Sequence, residues 1–310
     1  MNNATAITLK SQLKSNLPQK YIHILQSLLN TPLLLEKYNT QRILRASPDK
    51  PSFLDISILE MLQMQYSSYS LPDYGYDKHS LEIRGAERAA QILRFPGVQK
   101  AHSFLEIGCS DGMVCSSLCS KGKKTTAVDI NDAYFDKRAL SEDVNFFQMD
   151  ATALKFENES FDFVFSYDSF EHFSSPENAL REAVRVTKKN GHIYLEFGPL
   201  YYSPFGAHAS AVKVPYWPVL FPKDVIDNFV AQKKLHPPVN HTHVNKYSLE
   251  DYRKIWENFS HVLKKLIYYE KSCLSHLNLI RTYPTCFKGK SNLLGSFVVD
   301  RISVLFQKTT

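Results

Sequence analysis

Apolar positions change rhythm twice along the chain. Between residues 15 and 95 they recur at helical spacing. Tyr21, Ile24, Leu25, Leu28 and Leu29 fall on one face, and Leu54, Ile56, Ile58, Leu59, Leu62 and Met64 suit a second helix over Phe53–Met64. Ser67–Asp77 (SSYSLPDYGYD) is rich in turn formers and tyrosine and predicts a loop. A third helix is expected over His79–Leu93, stopped near Pro96 and Gly97.

From Ala101 the pattern alternates. Strands are expected at Ser103–Ile107, Thr125–Ile130, Val144–Met149, Phe161–Tyr167 and His192–Phe197. Helices are expected at Gly112–Ser120 and Pro176–Thr187, with a turn at Lys188–Gly191. Such alternation predicts an α/β fold, a parallel sheet covered by helices on both faces. After Gly198 the rhythm breaks. Residues 199–245 hold many prolines, aromatics and histidines without clear periodicity, and an irregular stretch of that length predicts a lid or substrate cap. Helix and strand signals resume at Ser248–Asn258 and His261–Tyr269, and the last strand signal is Ile302–Phe306. The expected partition is a helical extension or lid over 1–98 and an α/β domain over 99–310, with a cap inserted at 199–245.

Composition narrows this little. Of the 310 residues, 44% are apolar and 22% charged, which suits a folded core and argues against wholesale disorder. No repeat or low-complexity tract points to a solenoid. The start, MNNATAITLK, lacks the features of a signal peptide, and no apolar run reaches membrane-spanning length, so a soluble cytoplasmic protein is expected. Cys109, Cys115, Cys119, Cys273 and Cys286 are odd in number and irregular in spacing, which predicts free thiols rather than a disulfide framework or a zinc site. The net charge is +6, and residues 232–310 hold 13 Lys or Arg against 5 Asp or Glu. That basic stretch could attract an anionic substrate, a membrane surface or nucleic acid, although a solvated face is the simpler reading.

The chemistry concentrates in Ser103–Gly112 (SFLEIGCSDG). Gly108 lets the backbone turn tightly and lets a ligand approach, and Gly112 opens the next helix, whose amides point back into the site. Three acids stand at the ends of three successive strands: Glu106, Asp129 (TAVDI) and Asp150 (FFQMDAT). A carboxylate accepts hydrogen bonds on both oxygens, which suits a ribose diol at Asp129.

On these residues and on Phe161–Phe173 (FDFVFSYDSFEHF), the chain resembles class I S-adenosylmethionine-dependent methyltransferases, in particular those whose fourth strand leads into a Glu-His pair. The resemblance covers residues 101–198 well and the rest weakly. It implies a Rossmann-like, seven-stranded, mostly parallel sheet flanked by helices, and S-adenosyl-L-methionine as cofactor. It implies further that Gly108, with Cys109, Ser110 and Gly112, contacts the methionine part and that Glu106 holds its amino group. Asp129 with Ile130 would take the ribose side, and Asp150 with Ala151 the adenine edge. Ser166 and Tyr167 would line the sulfonium region through main chain. Ser110 is a departure, since the family's middle glycine stands there.

The family has no universal catalytic residue. His172, in the Glu-His pair, and His208, in Gly198–His208 (GPLYYSPFGAH), are the candidate bases. Tyr201 and Tyr202 could line the acceptor pocket, and Tyr74 and Tyr76 could close over the cofactor. His236, His241 and His243 (HPPVNHTH) lack a completing ligand, so no metal is expected. The acceptor expected is a small organic molecule, methylated on oxygen or nitrogen rather than carbon. No RNA-binding module is visible, so nucleic acid is not expected as partner. The other readings are a methyltransferase of RNA or protein, a nicotinamide-dependent oxidoreductase, disfavoured by Ser110 where G-x-G-x-x-G needs glycine, and a non-catalytic binding protein of the same fold.

Overall fold

The computed structural model describes residues 19–50, 52–68, 75–140, 144–208, 211–236 and 239–310. The chain forms two compact units, residues 1–51 with 274–294 and residues 52–273 with 295–310. In the first, the helix Gln19–Ala46 meets the short helices Leu277–Thr282 and Pro284–Lys288. Arg281 pairs with Glu36 at 2.8 Å, and Gln41 accepts from the Leu294 amide at 2.8 Å while donating to the Asn292 carbonyl at 2.9 Å.

The second unit holds the sheet. Its strands are β1 (Ser103–Ile107), β2 (Lys124–Asp129), β3 (Asn145–Gln148), β4 (Phe161–Tyr167), β5 (Thr187–Phe197), β6 (Leu263–Ser272) and β7 (Val299–Lys308), in the order β3-β2-β1-β4-β5-β7-β6. Strands β1 to β5 run parallel, and β7 pairs antiparallel with both β5 and β6. This is the seven-stranded, mostly parallel, Rossmann-like sheet that the resemblance implies.

Successive residues of a strand point to opposite faces, so each strand feeds two cores. On one face Leu105, Ile107, Val164, Ile193 and Leu195 pack with Leu180 and Ala183 of the helix Pro176–Val186 and with Tyr252 and Trp256 of the helix Leu249–Asn258. On the other, Phe104, Phe163, Phe165 and Tyr194 pack with Ala89 and Ile92 of the helix Lys78–Leu93 and with Val114 and Leu118 of the helix Met113–Cys119. Each large side chain so buried contributes roughly 1.5–3 kcal/mol. The helix Lys78–Leu93, which the hydrophobic pattern groups with the N-terminal extension, thus lies in the unit that holds the sheet. It crosses the helix Met113–Cys119 closely, since a Cβ on Gly85 would lie 2.6 Å from the Met113 carbonyl oxygen.

Several elements differ from expectation. β5 begins at Thr187 and takes in the predicted turn Lys188–Gly191; Asn190 adopts φ 64° there, and the register with β4 shifts between Phe161 and Phe163. The stretch 199–245 is not wholly irregular, because it folds helices at Trp217–Leu220 and Lys223–Gln232. In the latter Ile226, Phe229 and Val230 are buried at helical spacing. No helix among the described residues is long and apolar enough to cross a membrane. All five cysteines are free thiols.

Candidate active site

The strand order reverses beside β1, with β2 and β3 on one side and β4 and β5 on the other, so a crevice opens at the carboxyl ends of β1 and β4. The turn after β1 is built on left-handed residues: Gly108 (φ 73°), Ser110 (φ 48°) and Gly112 (φ 75°). The Gly108 and Cys109 amides both donate to the Val128 carbonyl, at 2.8 and 3.0 Å. A Cβ on Gly108 would sit 2.5 Å from the Ser169 Cβ, and one on Gly112 would sit 2.3 Å from the Phe146 ring. Ser110 takes the backbone conformation that glycine takes without strain, and its amide donates to Asp129 Oδ2 at 2.8 Å. The other Asp129 oxygen accepts from the Asn131 amide at 3.0 Å.

Glu106 is buried, and its Oε2 has no hydrogen-bond partner. Burial, reinforced by Asp111, pushes its carboxyl up to about 8. Asp150 is exposed, and its Oδ1 accepts from both the Thr152 amide and the Thr152 hydroxyl at 2.8 Å, leaving Oδ2 open. Ala151 beside it is buried, whereas Ile130 is 69% exposed. Cys109 is buried and its thiol is pushed well up by burial. Ser166 and Tyr167 are buried; the Tyr167 hydroxyl donates to Gln91 Oε1 at 3.0 Å, and the Arg88 guanidinium lies 4.6 Å from its ring centroid.

At the end of β4 the structure adds groups that the hydrophobic pattern does not single out. Asp168 sits at φ 47° and its carboxylate is shared between Arg88 and Arg301. Burial opposes that charge, yet the two guanidinium groups hold the carboxyl below its ordinary range. Glu171 is buried; its Oε1 accepts from the Gly198 amide at 3.0 Å, and its Oε2 has no partner. Burial, then the nearby Asp168, pushes Glu171 up to about 8. Ser169 donates to the Gly108 carbonyl at 2.7 Å, so the turn after β4 is fastened to the turn after β1. The Glu-His pair was the available signal for Glu171, but nothing local marks Arg88 or Arg301, which lie 80 and 133 residues from Asp168.

His172 and His208, which follow β4 and β5, come together with ring centroids 5.1 Å apart. His243 joins them, 4.5 Å from His172 and 5.9 Å from His208. His172 is lowered by burial; His208 is pushed down to about 3, by burial and then by the other two rings. The histidines of the HPPVNHTH stretch therefore separate: His236 is exposed, and His241 pairs with Asp227 at 2.6 Å. Tyr201 and Tyr202 stack edge to face at 5.1 Å, and burial pushes Tyr201 up to about 12. Tyr76 is 70% exposed, and Tyr74 lies outside the described residues.

Residues 105–195 match the family described as a methyltransferase domain. A curated relative, the ubiquinone biosynthesis O-methyltransferase of Saccharophagus degradans, is 25% identical over 158 residues, which are 49% of this chain and 63% of the relative. The matched part thus spans less than two thirds of that relative's length. Among solved structures, a candidate methyltransferase (BH2331) from Bacillus halodurans C-125 is 20% identical, covering 73% of this chain and 99% of that one, with a TM-score of 0.43. The PH0226 protein of Pyrococcus horikoshii OT3 is 15% identical, covering 79% and 98%, with a TM-score of 0.45.

Proposed function

We propose that the protein is an S-adenosylmethionine-dependent methyltransferase that moves a methyl group to an oxygen or nitrogen of a small organic acceptor. The observation that carries this reading is Glu106, a buried carboxyl with an unpartnered oxygen beside a turn whose left-handed Gly108 leaves no room for a Cβ. An unpartnered buried oxygen is costly unless a ligand satisfies it, and a cationic amino group does so best.

The residues present fit that cofactor. Glu106 would take the methionine ammonium, with Gly108, Cys109, Ser110 and Gly112 forming the turn around it. Asp129 keeps lone pairs on both oxygens beyond those given to Ser110 and Asn131, enough for a ribose diol. The exposed Ile130 side chain would pack on the cofactor, and the open oxygen of Asp150 with the Ala151 amide would read the adenine edge. Ser166 and Tyr167 would line the sulfonium region through main chain. When bound, S-adenosylmethionine supplies an electrophilic methyl group.

The protein's own contribution is proximity, orientation and exclusion of water. Tyr201 and Tyr202 and the insert 199–245 would enclose the acceptor, and the segment around Tyr76 would cover the cofactor. Loss of an acceptor proton falls to the cluster of His172, His208 and His243. The name of the Saccharophagus degradans relative favours an oxygen acceptor.

The test is calorimetry with S-adenosylhomocysteine and, separately, with NAD, followed by incubation with S-adenosylmethionine and a panel of phenols and catechols. Binding of the demethylated cofactor and a methylated product are expected. Binding of NAD without S-adenosylhomocysteine would overturn the reading.

A further inference from the structure

We infer that His172, His208 and His243 form a three-imidazole site for a divalent transition cation of the zinc type. One ring nitrogen from each histidine lies within 4.8 Å of those of the other two. Nitrogens sharing one zinc at 2.0–2.1 Å stand about 3.4 Å apart, so small movements close the set.

Two of the rings are presented as metal ligands are. His172 Nδ1 is 2.6 Å from the His243 carbonyl oxygen. A carbonyl only accepts, so Nδ1 carries the proton and the Nε2 lone pair is left for a ligand. His208 Nε2 is buried with no hydrogen-bond partner, so this ring nitrogen is left for a ligand. A carbonyl that fixes the tautomer and aim of an imidazole, as that of His243 does for His172, is a usual outer partner of a metal-bound histidine.

The third ring is also held. The Asn245 amide donates to the Glu171 carbonyl at 2.7 Å, and its side chain donates to the Phe170 and Phe173 carbonyls at 3.1 and 2.9 Å. The segment carrying His243 is thereby clamped to the turn carrying His172. His243 itself is exposed, so its ring can swing to complete the set. Three imidazoles leave a fourth position, for water or for a hydroxyl of the acceptor. This last role rests on the methyltransferase reading; the cation site does not.

The experiment is titration of metal-free full-length protein with zinc chloride, without cofactor or acceptor, followed by cobalt substitution and absorption spectroscopy. One zinc per chain and a tetrahedral cobalt spectrum are expected. His243→Ala, an exposed position, should weaken zinc binding by more than about 100-fold, as should His172→Ala and His208→Ala. His241→Ala, already paired with Asp227, should bind as the wild type does. Absence of saturable zinc binding, or wild-type affinity in His243→Ala, would overturn the site. Zinc binding together with failure to bind S-adenosylhomocysteine would sustain the site and sink the methyltransferase reading; the reverse pattern would do the opposite.

Discussion

The Ser110 amide donates to Asp129 Oδ2 at 2.8 Å, tying the turn after β1 to the end of β2. One carboxylate thus organises the loop and keeps acceptor capacity for a ligand. Asp129→Ala removes both. Affinity for S-adenosylhomocysteine should fall by about 100-fold, and the free protein should lose about 1–2 kcal/mol from the two amides left without acceptors. Calorimetry and thermal unfolding read these separately. Unchanged cofactor affinity would exclude Asp129 from the ribose site.

Ser110 pays a conformational cost that glycine would avoid. A non-glycine residue in the left-handed region costs roughly 1–2 kcal/mol, whereas glycine costs about 0.5–1 kcal/mol more than alanine in backbone entropy. Ser110→Gly should therefore stabilise the protein slightly, by about 0.5 kcal/mol, and raise the melting temperature by about 1–2 °C. Cofactor affinity should hold, because the amide is kept. A lower melting temperature would mean that the serine hydroxyl makes a compensating contact.

Glu106 predicts proton release. Its carboxyl is raised from 4.5 to about 8 by burial and then by Asp111, so the folded protein binds this proton more tightly than the unfolded chain. The resulting stability is fully present below pH 4.5 and is lost as pH rises through about 8. A cofactor ammonium placed against the carboxyl favours its charged form and expels the proton. At pH 7 the enthalpy of S-adenosylhomocysteine binding should therefore depend on the ionisation enthalpy of the buffer. Glu106→Gln should reduce that dependence and weaken binding. A buffer-independent enthalpy in the wild type would put the ammonium elsewhere.

The parts of this architecture that were legible in the sequence are those written locally. FDFVFSY is nearly continuous in apolar residues because β4 is packed on both faces, and Glu106, Asp129 and Asp150 mark strand ends because each follows an apolar run. Lys188–Gly191 reads as a turn because glycine and asparagine signal both a turn and a strand irregularity; here β5 runs through it with Asn190 at φ 64°, and its register on β4 jumps from Thr187 opposite Phe161 to His192 opposite Phe163. The helix Lys223–Gln232 was hidden by flanking prolines and by the charged residues on its open face. His172, His208 and His243 meet only because β4, β5 and the insert return to one end of the sheet. No spacing rule links them; sequence proximity instead paired His243 with His241, whose ring is held by Asp227.

Arg88 and Arg301 converge on Asp168 from a helix before β1 and from the last strand. This ion-pair triad is local to no stretch of sequence, yet it lies directly after β4, where the crevice opens. Its members are mostly but not wholly covered, with side-chain exposures of 17%, 28% and 13%. Asp168→Asn keeps the shape and leaves two guanidinium groups facing a neutral amide. Breaking a buried pair costs about 3–5 kcal/mol, and partial exposure reduces this to about 2–3 kcal/mol here. The pH dependence separates charge from shape. Burial opposes the Asp168 charge, but Arg88 and Arg301 outweigh it and hold the carboxyl below its ordinary value of 3.8. The stability it contributes is therefore present above 3.8 and is lost as pH falls through the lower folded value. The gap between wild type and Asp168→Asn in urea unfolding should be widest near neutrality and should narrow below pH 4. A gap that persists unchanged into acid would assign the effect to packing of the side chain and remove the triad as an electrostatic clamp between β4, β7 and the helix Lys78–Leu93.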